Sequence, residues 1–518
     1  MGAQTLAVLV AAVIVAALAR RHNLSSPLLL VIVGLAGGLI PGVPMITLEP
    51  DLVLFVLLPP LLWSAGLESS SVNLRRNKHS IGMLAVGLPL VTTFAVGVVA
   101  YELVPDLTLA AALTLGAIVA PPDAVSATAI GRRLGLPRRM MTLLGGESLL
   151  NDATALTAYK VALAAAIGTA TSWDRALGTF VLAVVGGVLV GVVLGRAIDM
   201  ARSRLDDPLA ESALGLVAPF LIYLIAEELH GSGVLAVVAA ALVVGQRSTH
   251  AGYATRLQDD AVWKALQLLL ESFAFLLIGL QLPKVISELA GISAATLLVA
   301  SLGVLATVIV VRIVWVFLCG YVLVRRSTRP RASHVFVVAW AGMRGVVSLA
   351  AAFAVPLTTL SGDVFPGRPQ LVFLTFVVVI GTLLLHGLTL PWLIRALGVQ
   401  SDEARTDALA ATAAQARASA AAAERLDQLI EEQRRSGEWS ELNERAAEVL
   451  RRWNTARGRG QEHLDEQPAA VFRRLRLEML AAERAALIRE RDEDRIDDEV
   501  LRTLLHGLDL EEATLNRQ

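Results

Sequence analysis

The sequence predicts an all-α polytopic membrane protein with about thirteen transmembrane helices and a helical domain at its C-terminal end. Of its 518 residues, 55% are hydrophobic and only 18% are charged, and the mean hydropathy is +0.62. Soluble domains carry nearer a quarter charged residues. The apolar residues form long continuous runs without the alternation of β-barrel strands, so we expect helices to satisfy the backbone hydrogen bonds.

The charge changes sign near residue 400. Residues 1–400 hold 26 Lys and Arg against 20 Asp and Glu, a net charge of +6, whereas residues 401–518 hold 19 Arg against 26 Asp and Glu, a net charge of −7. This predicts a membrane domain, 1–400, and a water-exposed helical tail, 401–518, with breaks at Gly437 and Gly458–Gly460. The tail is either a solvated appendage or a regulatory or oligomer-clasping domain. The single cysteine, Cys319, excludes a disulfide framework.

Thirteen apolar runs approach the roughly 20 residues that cross a bilayer core. They are 4–19, 27–42, 51–67, 80–103, 107–130, 140–168, 174–197, 208–229, 232–246, 262–283, 292–324, 333–356 and 370–397. Eighteen Lys and Arg residues lie in one alternate set of loops and three, Arg175, Lys284 and Arg368, in the other. The positive-inside rule therefore predicts an outer N-terminus, an uncleaved first helix and a cytoplasmic tail.

The fifth run contains Asp123 directly after two prolines, Pro121 and Pro122. Two prolines remove two amide donors and leave carbonyl groups of the preceding turn without partners. Free carbonyls at membrane depth are tolerated only against protein or a water-filled cavity. A broken helix with carbonyl oxygens beside a carboxylate predicts a site for a hard cation.

The sixth run carries two adjoining polar rows. Ser148 and Asp152 are four residues apart, as are Glu147 and Asn151, so each pair shares a helix face about 100° from the other. Buried polar groups need partners, and hydroxyl, amide and carboxylate oxygens together suit a small alkali cation. A hydrogen-bonding seam between helices explains Ser148 and Asn151 alone, but not two carboxylates.

The twelfth run is interrupted by Gly342-Met343-Arg344-Gly345. Arg344 does not lose its proton, so it needs a permanent counter-ion, and we expect Glu147 to supply it in a structural pair. Glu271 is a weaker candidate, and Lys160 can extend its ammonium group towards the membrane surface.

The two interrupted runs are seven spans apart. Spans 1–6 and 8–13 are therefore predicted to be inverted repeats, with span 7 as the connector.

At these residues the chain resembles the monovalent cation:proton antiporter family, specifically its prokaryotic sodium/proton exchangers. The resemblance covers roughly residues 5–398. It is carried by Leu58-Pro59-Pro60-Leu61-Leu62, Pro121-Pro122-Asp123, Glu147-Ser148 with Asn151-Asp152, Phe275-Leu276-Leu277-Ile278-Gly279-Leu280 and Gly342-Met343-Arg344-Gly345. It implies a homodimer in the bacterial inner membrane, with a six-helix core domain that moves against a dimerisation domain.

The resemblance also implies roles for individual residues. Asp152 alternately binds the cation and the proton, with Asp123, Ser148 and the backbone oxygen of Pro122 as further cation ligands. Asn151 stands where related electrogenic exchangers have a second Asp, which suggests electroneutral exchange. Glu147 and Arg344 match the family's structural ion pair.

The chain departs from many relatives at Ser64, where they place an acidic residue. Glu68, one helical turn further on, is a candidate to replace it, and Ser64, Glu68 and Glu271 are the possible accessory residues of the site. The resemblance therefore does not extend to the family's full ligand set, and it leaves both Na⁺ and K⁺ open as substrates.

The mechanism we expect is competition, in which the two carboxylates bind either one alkali cation or protons before the site is exposed to the other face. The expected partners are Na⁺, H⁺ and the lipid bilayer, without a cofactor or nucleic acid. A potassium/proton antiporter of the same mechanism, a cation channel and a cation sensor acting through the tail are the alternatives. An enzyme is not expected, since the sequence has no H-E-x-x-H motif and Ser148 has no nearby His.

Overall fold

A computed structural model describes most of the chain, including the candidate site. The described residues are 2–22, 24–40, 50–69, 71–105, 107–168, 173–205, 207–247, 252–289, 291–321, 330–399, 403–436, 441–455 and 466–516. The chain divides into two compact units. The first comprises residues 1–248 and 259–401, and the second comprises residues 249–258 and 402–518.

The first unit is built from helices. They are α1 (Gly2–Arg21), α2 (Ser26–Gly38), α3 (Pro50–Glu68), α4 (Ser71–Arg76), α5 (Lys78–Gly82), α6 (Leu88–Leu103), α7 (Leu109–Val119), α8 (Ala124–Leu134), α9 (Arg138–Ala166), α10 (Trp173–Arg202), α11 (Pro208–Glu228), α12 (Gly233–Arg247), α13 (Tyr253–Glu288), α14 (Ala294–Tyr321), α15 (Ala332–Trp340), α16 (Val346–Phe353) and α17 (Arg368–Ala396). A π-helical turn, Met83–Gly87, joins α5 to α6. The first residues of α13, up to residue 258, group with the second unit.

Each predicted apolar run contains helix among its described residues, and the fifth and twelfth runs are interrupted within their length. Six helical segments in the described part of the chain are long and apolar enough to cross a membrane: Lys78–Leu103, Gly178–Arg202, Pro208–Glu228, Tyr253–Glu288, Ala294–Tyr321 and Arg368–Ala396. Shorter apolar helices accompany them, and these segments identify a multi-pass membrane protein. The count of thirteen crossings and the inverted repeats stay predictions.

Both predicted helix interruptions are present. The fifth run is split between α7 and α8 by residues 120–123, and the twelfth between α15 and α16 by residues 341–345. The prolines at 121 and 122 explain the first interruption, because neither can donate the amide hydrogen that would continue α7.

The helices of the first unit pack in two groups. In one, α10 and α11 pack against α12, and α3 packs against both α11 and α12. In the other, α7 packs against α6, α9 and α17, and α14 packs against α6, α15 and α17. Close approach within the first group depends on Gly191 of α10, since a Cβ atom there would lie 2.3 Å from the carbonyl oxygen of Ala236 in α12.

The described tail contains α18 (Glu403–Arg435), α19 (Glu441–Thr455), α20 (Glu466–Asp492) and α21 (Asp498–Asn516). The predicted breaks at Gly437 and Gly458–Gly460 lie outside the described residues. Buried apolar residues form one cluster among α18, α20 and α21 and a second among α18, α19 and α20. The tail therefore has a hydrophobic core of its own.

Buried ion pairs reinforce this unit. Arg476 of α20 donates hydrogen bonds to Glu483 (2.9 Å) and Glu511 (2.5 Å). Burial alone would lower the pKa of Arg476, but the hydrogen bonds and charges of Glu511 and Glu483 outweigh it and hold this pKa above its ordinary value. Asp509 of α21 accepts hydrogen bonds from Arg256 (3.0 Å) and Arg484 (3.0 Å). Arg256 thereby ties the first turns of α13 to the tail helices of the second unit.

Candidate functional site

The two helix interruptions meet directly. The backbone N–H of Asp123, at the end of the first interruption, donates a 2.7 Å hydrogen bond to the carbonyl oxygen of Met343 in the second. Backbone that leaves its helix inside a membrane must find partners in the protein. The contact supplies one such partner and fixes the crossing of the two broken helices.

The carboxylate of Asp123 lies against the backbone of Gly345. A Cβ atom built on Gly345 would lie 2.6 Å from the Oδ2 atom of Asp123, so no larger residue fits there without moving the carboxylate. Gly345 directly precedes α16. The N-terminal end of a helix carries partial positive charge, which stabilises a carboxylate at this position.

Arg344 binds the opposite kind of helix end. It is fully buried, its Nε atom donates to the carbonyl oxygen of Val119 (2.6 Å), and its Nη1 atom donates to that of Gly342 (2.9 Å). Val119 is the last residue of α7, and Gly342 follows the end of α15. Both carbonyls lie where helix ends carry partial negative charge, so the guanidinium offsets that charge as Asp123 offsets the positive end of α16.

The expected ion pair between Glu147 and Arg344 is wrong. Glu147 pairs instead with Arg312 of α14, whose Nη1 and Nη2 atoms donate to the two carboxylate oxygens at 2.5 Å and 3.1 Å. Both residues are 1% exposed. Arg312 also donates to the carbonyl oxygens of Val338 (3.1 Å) and Ala339 (3.0 Å), near the end of α15. The guanidinium of Arg344 is instead turned to the carbonyls of Val119 and Gly342.

Arg312 was missed by the sequence analysis. Its signal was present, because an arginine near the middle of the eleventh apolar run, 292–324, is as costly in lipid as Arg344. The sequence alone does not tell which of two intramembrane arginines faces Glu147. That choice depends on how α14 packs against α15.

The two polar faces of α9 have different surroundings. On one face, beside Glu147, Asn151 is fully buried and donates a 2.9 Å hydrogen bond to the carbonyl oxygen of Pro122. On the other face Asp152 is partly buried and within electrostatic range of Asp123. Ser148 is partly buried one turn before Asp152 on the same face. The five predicted cation- and proton-binding residues thus lie in the first helix interruption or on the part of α9 beside it.

The accessory candidates have unequal positions. Ser64 is buried, and its hydroxyl donates to the carbonyl oxygen of Leu61 in its own helix (2.9 Å), while Glu68 is exposed at the end of α3. Glu271 of α13 is partly buried, accepts a 2.8 Å hydrogen bond from Gln267, and is within electrostatic range of both Asp123 and Glu68. Glu271 therefore adds a carboxylate near the crossing, which Ser64 does not.

The polar groups gathered here present oxygen atoms as ligands. Among the described residues, no three His, Cys, Asp or Glu side chains form a group that could hold a metal. Two carboxylates with neutral hydroxyl, amide and carbonyl oxygens are hard ligands, which alkali cations and protons both accept. Crossed, interrupted helices with charged residues at their crossing are characteristic of secondary transporters.

Comparison with known proteins places the chain within a family. Residues 8–396 match the transmembrane sodium/hydrogen exchanger family. The chain therefore belongs to the sodium/hydrogen exchanger family, whose members are membrane transporters and not enzymes.

Relatives extend this match over nearly the whole chain. An uncharacterized Na⁺/H⁺ exchanger of Mycobacterium tuberculosis is 36% identical over 99% of this chain and 96% of its own length. The Na⁺/H⁺ antiporter ApNhaP of Aphanothece halophytica is 33% identical over 73% of this chain and 70% of its own. The structure of the sodium proton antiporter MjNhaP1 from Methanocaldococcus jannaschii has the same fold, with a TM-score of 0.61 and 19% identity over 76% of this chain and 97% of that one.

Proposed function

We propose that this protein is a secondary active sodium/proton antiporter that exchanges one cation for one proton by alternating access. The observation that carries the proposal is the position of Asp123 at the crossing of two broken helices, with Asp152 in its electrostatic range. Family membership supports antiport, and several relatives bear the names of Na⁺/H⁺ antiporters.

In this mechanism Asp152 and Asp123 are the groups that bind cation or proton in turn. Ser148 and the carbonyl oxygen of Pro122 are further cation ligands, and Asn151 orients that carbonyl through its 2.9 Å hydrogen bond. A carbonyl oxygen has two lone pairs, so it can accept this bond and still face a cation. Glu271 is an accessory carboxylate.

Charge balance at the crossing supports one-for-one exchange. Glu147 and Arg312 neutralise each other within a buried pair. With the accessory Glu271 counted as neutral, Arg344 leaves one positive charge against the two negative charges of Asp123 and Asp152. One further positive charge makes the crossing neutral, and either an alkali cation or a proton supplies it. Binding both would leave an excess charge at membrane depth, which is costly.

The arrangement in the cell is part of the proposal. The arginine-rich loops lie on the cytoplasmic side of the bacterial inner membrane, in agreement with the positive-inside rule. The tail, residues 401–518, lies on the same side. The protein acts as a homodimer and contributes to pH homeostasis by admitting protons in exchange for sodium.

Potassium/proton antiport by the same site is the second candidate. It is favoured by a Bacillus pumilus relative named a sodium, potassium, lithium and rubidium/H⁺ antiporter, 32% identical over 71% of this chain and 57% of its own length. Ser64, in place of an acidic residue, removes a charge that would select among cations.

The test is exchange in proteoliposomes, followed by the dequenching of a pH-sensitive dye after addition of Na⁺, K⁺ or Li⁺. Wild-type protein is expected to respond to Na⁺, and Asp152→Asn to give no response while retaining its fold. Asp260→Asn is the matched control, because Asp260 is an exposed partner of Lys264 within one helix. Wild-type exchange by Asp152→Asn would end the assignment, and a response to K⁺ alone would establish the second candidate.

The same liposomes distinguish an antiporter from a channel. The rate of exchange should saturate as the cation concentration rises. Exchange should carry no current, and its rate should not change with an imposed membrane potential. Because the two ions compete, lowering the pH should raise the cation concentration needed for half-maximal exchange. A current that persists without a proton gradient would indicate a channel.

A further inference from the structure

A charged bridge joins the helix of the candidate site to the other helix group. Lys160 of α9 forms an ion pair with Glu227 of α11. The same carboxylate oxygen accepts a 2.9 Å hydrogen bond from the backbone N–H of Gly233, the first residue of α12, and the Lys160 Nζ atom lies 6.0 Å from the ring centre of Tyr223. Glu227 is thus held in place by α12 while it binds α9.

A second contact lies one turn nearer to Asp152. The Thr157 hydroxyl is 3.5 Å from the hydroxyl of Ser232, which directly precedes α12. Thr157 and Lys160 are three residues apart and neighbours on the surface of α9. The two contacts therefore form one continuous link from α9 to the α11–α12 hairpin.

The link lies between the candidate site and one end of α9. Asp152, Leu156 and Lys160 are spaced by four residues and share a face, so Lys160 is about 12 Å beyond Asp152 along the axis. The side chains of Lys160 and Glu227 are 39% and 33% exposed, whereas Leu156 is only 5% exposed. The exposure of this face of α9 thus falls sharply between Lys160 and Leu156.

This end faces away from the arginine-rich loops, and is the outer face in the proposed topology. The link also lies where the two helix groups meet, because α9 packs mainly against α7, α8 and the π-helical turn and more lightly against α10 and α12, whereas α11 packs with α3, α10 and α12. An outward-open site requires these groups to separate here. A half-exposed ion pair is suited to that role, since it stabilises one state only severalfold and can break in every cycle.

We propose that the Lys160–Glu227 pair, with the Thr157–Ser232 contact, is the outer gate of the transport site. The gate is closed in the structure, and both contacts break each time Asp152 becomes accessible from outside. This inference rests on the proposed antiport function. Its tests measure the accessibility of the site separately from ion exchange.

The first test measures access with one reporter cysteine. The chain has a single cysteine, so Cys319→Ser gives a cysteine-free parent, into which Leu156→Cys is introduced. Labelling by a membrane-impermeant maleimide added outside should become about fivefold faster with Lys160→Met, the factor expected for losing a pair of this exposure. The charge exchange Lys160→Glu with Glu227→Lys should restore slow labelling.

Lys284→Met is the matched control. Lys284 forms an ion pair of similar exposure with Glu288, but within α13, so its loss separates no helices and labelling should not change. Equal labelling rates with and without Lys160→Met would overturn the proposal, and so would an equal acceleration by Lys284→Met. Labelling requires no transport, so these outcomes stand even if the parent exchanges no ions.

The second test locks the gate. Thr157→Cys with Ser232→Cys, in the cysteine-free parent, puts two thiols where the hydroxyl oxygens are 3.5 Å apart. Copper phenanthroline removes two electrons and two protons from them to form a disulfide. Exchange should be lost on oxidation and return with dithiothreitol. Exchange at the parent rate by fully oxidised protein would refute the gate, whereas a parent without exchange would refute the proposed function instead.

Discussion

Removing Arg312 should destabilise the membrane domain far more than removing any surface charge. Arg312 and Glu147 are both 1% exposed and share two hydrogen bonds. Arg312→Met leaves the Glu147 carboxylate buried without its counter-ion, which costs about 3–5 kcal/mol. The carbonyls of Val338 and Ala339 also lose a donor, so we expect the upper end of this range.

The assay is thermal unfolding of the purified protein in detergent. Samples are heated to a series of temperatures, and size-exclusion chromatography measures how much folded protein remains at each. For a domain of about 400 residues, with an unfolding entropy of roughly 2.1 cal/mol/K per residue, a loss of about 4 kcal/mol corresponds to a fall in Tm on the order of 5 °C. Lys264→Met is the control, since its exposed pair with Asp260 is worth below about 1 kcal/mol. Adding Glu147→Gln to Arg312→Met should recover part of the loss, because it removes the stranded charge. A normal Tm for Arg312→Met, or no recovery in the double variant, would refute the reasoning.

Three other substitutions test separate parts of the structure. Gly345→Ala should lower exchange about tenfold or more at normal folded yield, because the new methyl group displaces the Asp123 carboxylate; unchanged exchange would contradict this contact. Gly191→Val should lower the Tm through a cost of about 1–3 kcal/mol from overpacking α10 against α12, and an unchanged Tm would be the contrary result. Arg476→Met should lower the free energy of unfolding of the tail by about 3–5 kcal/mol, because it leaves the Glu483 carboxylate buried without its partner. The expected result is faster proteolysis confined to residues 402–518, and equal proteolysis rates would contradict it.

Local sequence signals were sufficient to predict where the helices are interrupted. Pro121 and Pro122 cannot donate to the preceding turn, so α7 had to end near Val119 whatever its surroundings. The spacing of Glu147, Asn151 and Asp152 likewise fixed which of these residues share a face of α9. Both are properties of one helix and need no knowledge of the rest of the chain.

Partner choice between helices was not accessible from these signals. Both Arg312 and Arg344 lie within apolar runs, and periodicity does not tell which of them meets Glu147. The answer came from tertiary packing, which turns Arg344 to the carbonyl of Val119 and leaves Arg312 for the carboxylate. Tertiary packing also brings Glu271 near Asp123. Because α13 is distant in sequence from the fifth span, no local pattern could have predicted this proximity.

The two faces of α9 together suggest how the site can move without being dismantled. Glu147 is hydrogen-bonded to Arg312 of α14, and Asn151 to Pro122 in the interruption between α7 and α8, so both bonds lie within the same packed group. These bonds tie α9 to the helix interruptions, so displacement of the group carries Asp152 and its ligands as one body. The adjoining face runs from Asp152 to Lys160, where the contacts cross to the other group. In the proposed mechanism the first set of contacts persists through the transport cycle while the second set breaks and forms again.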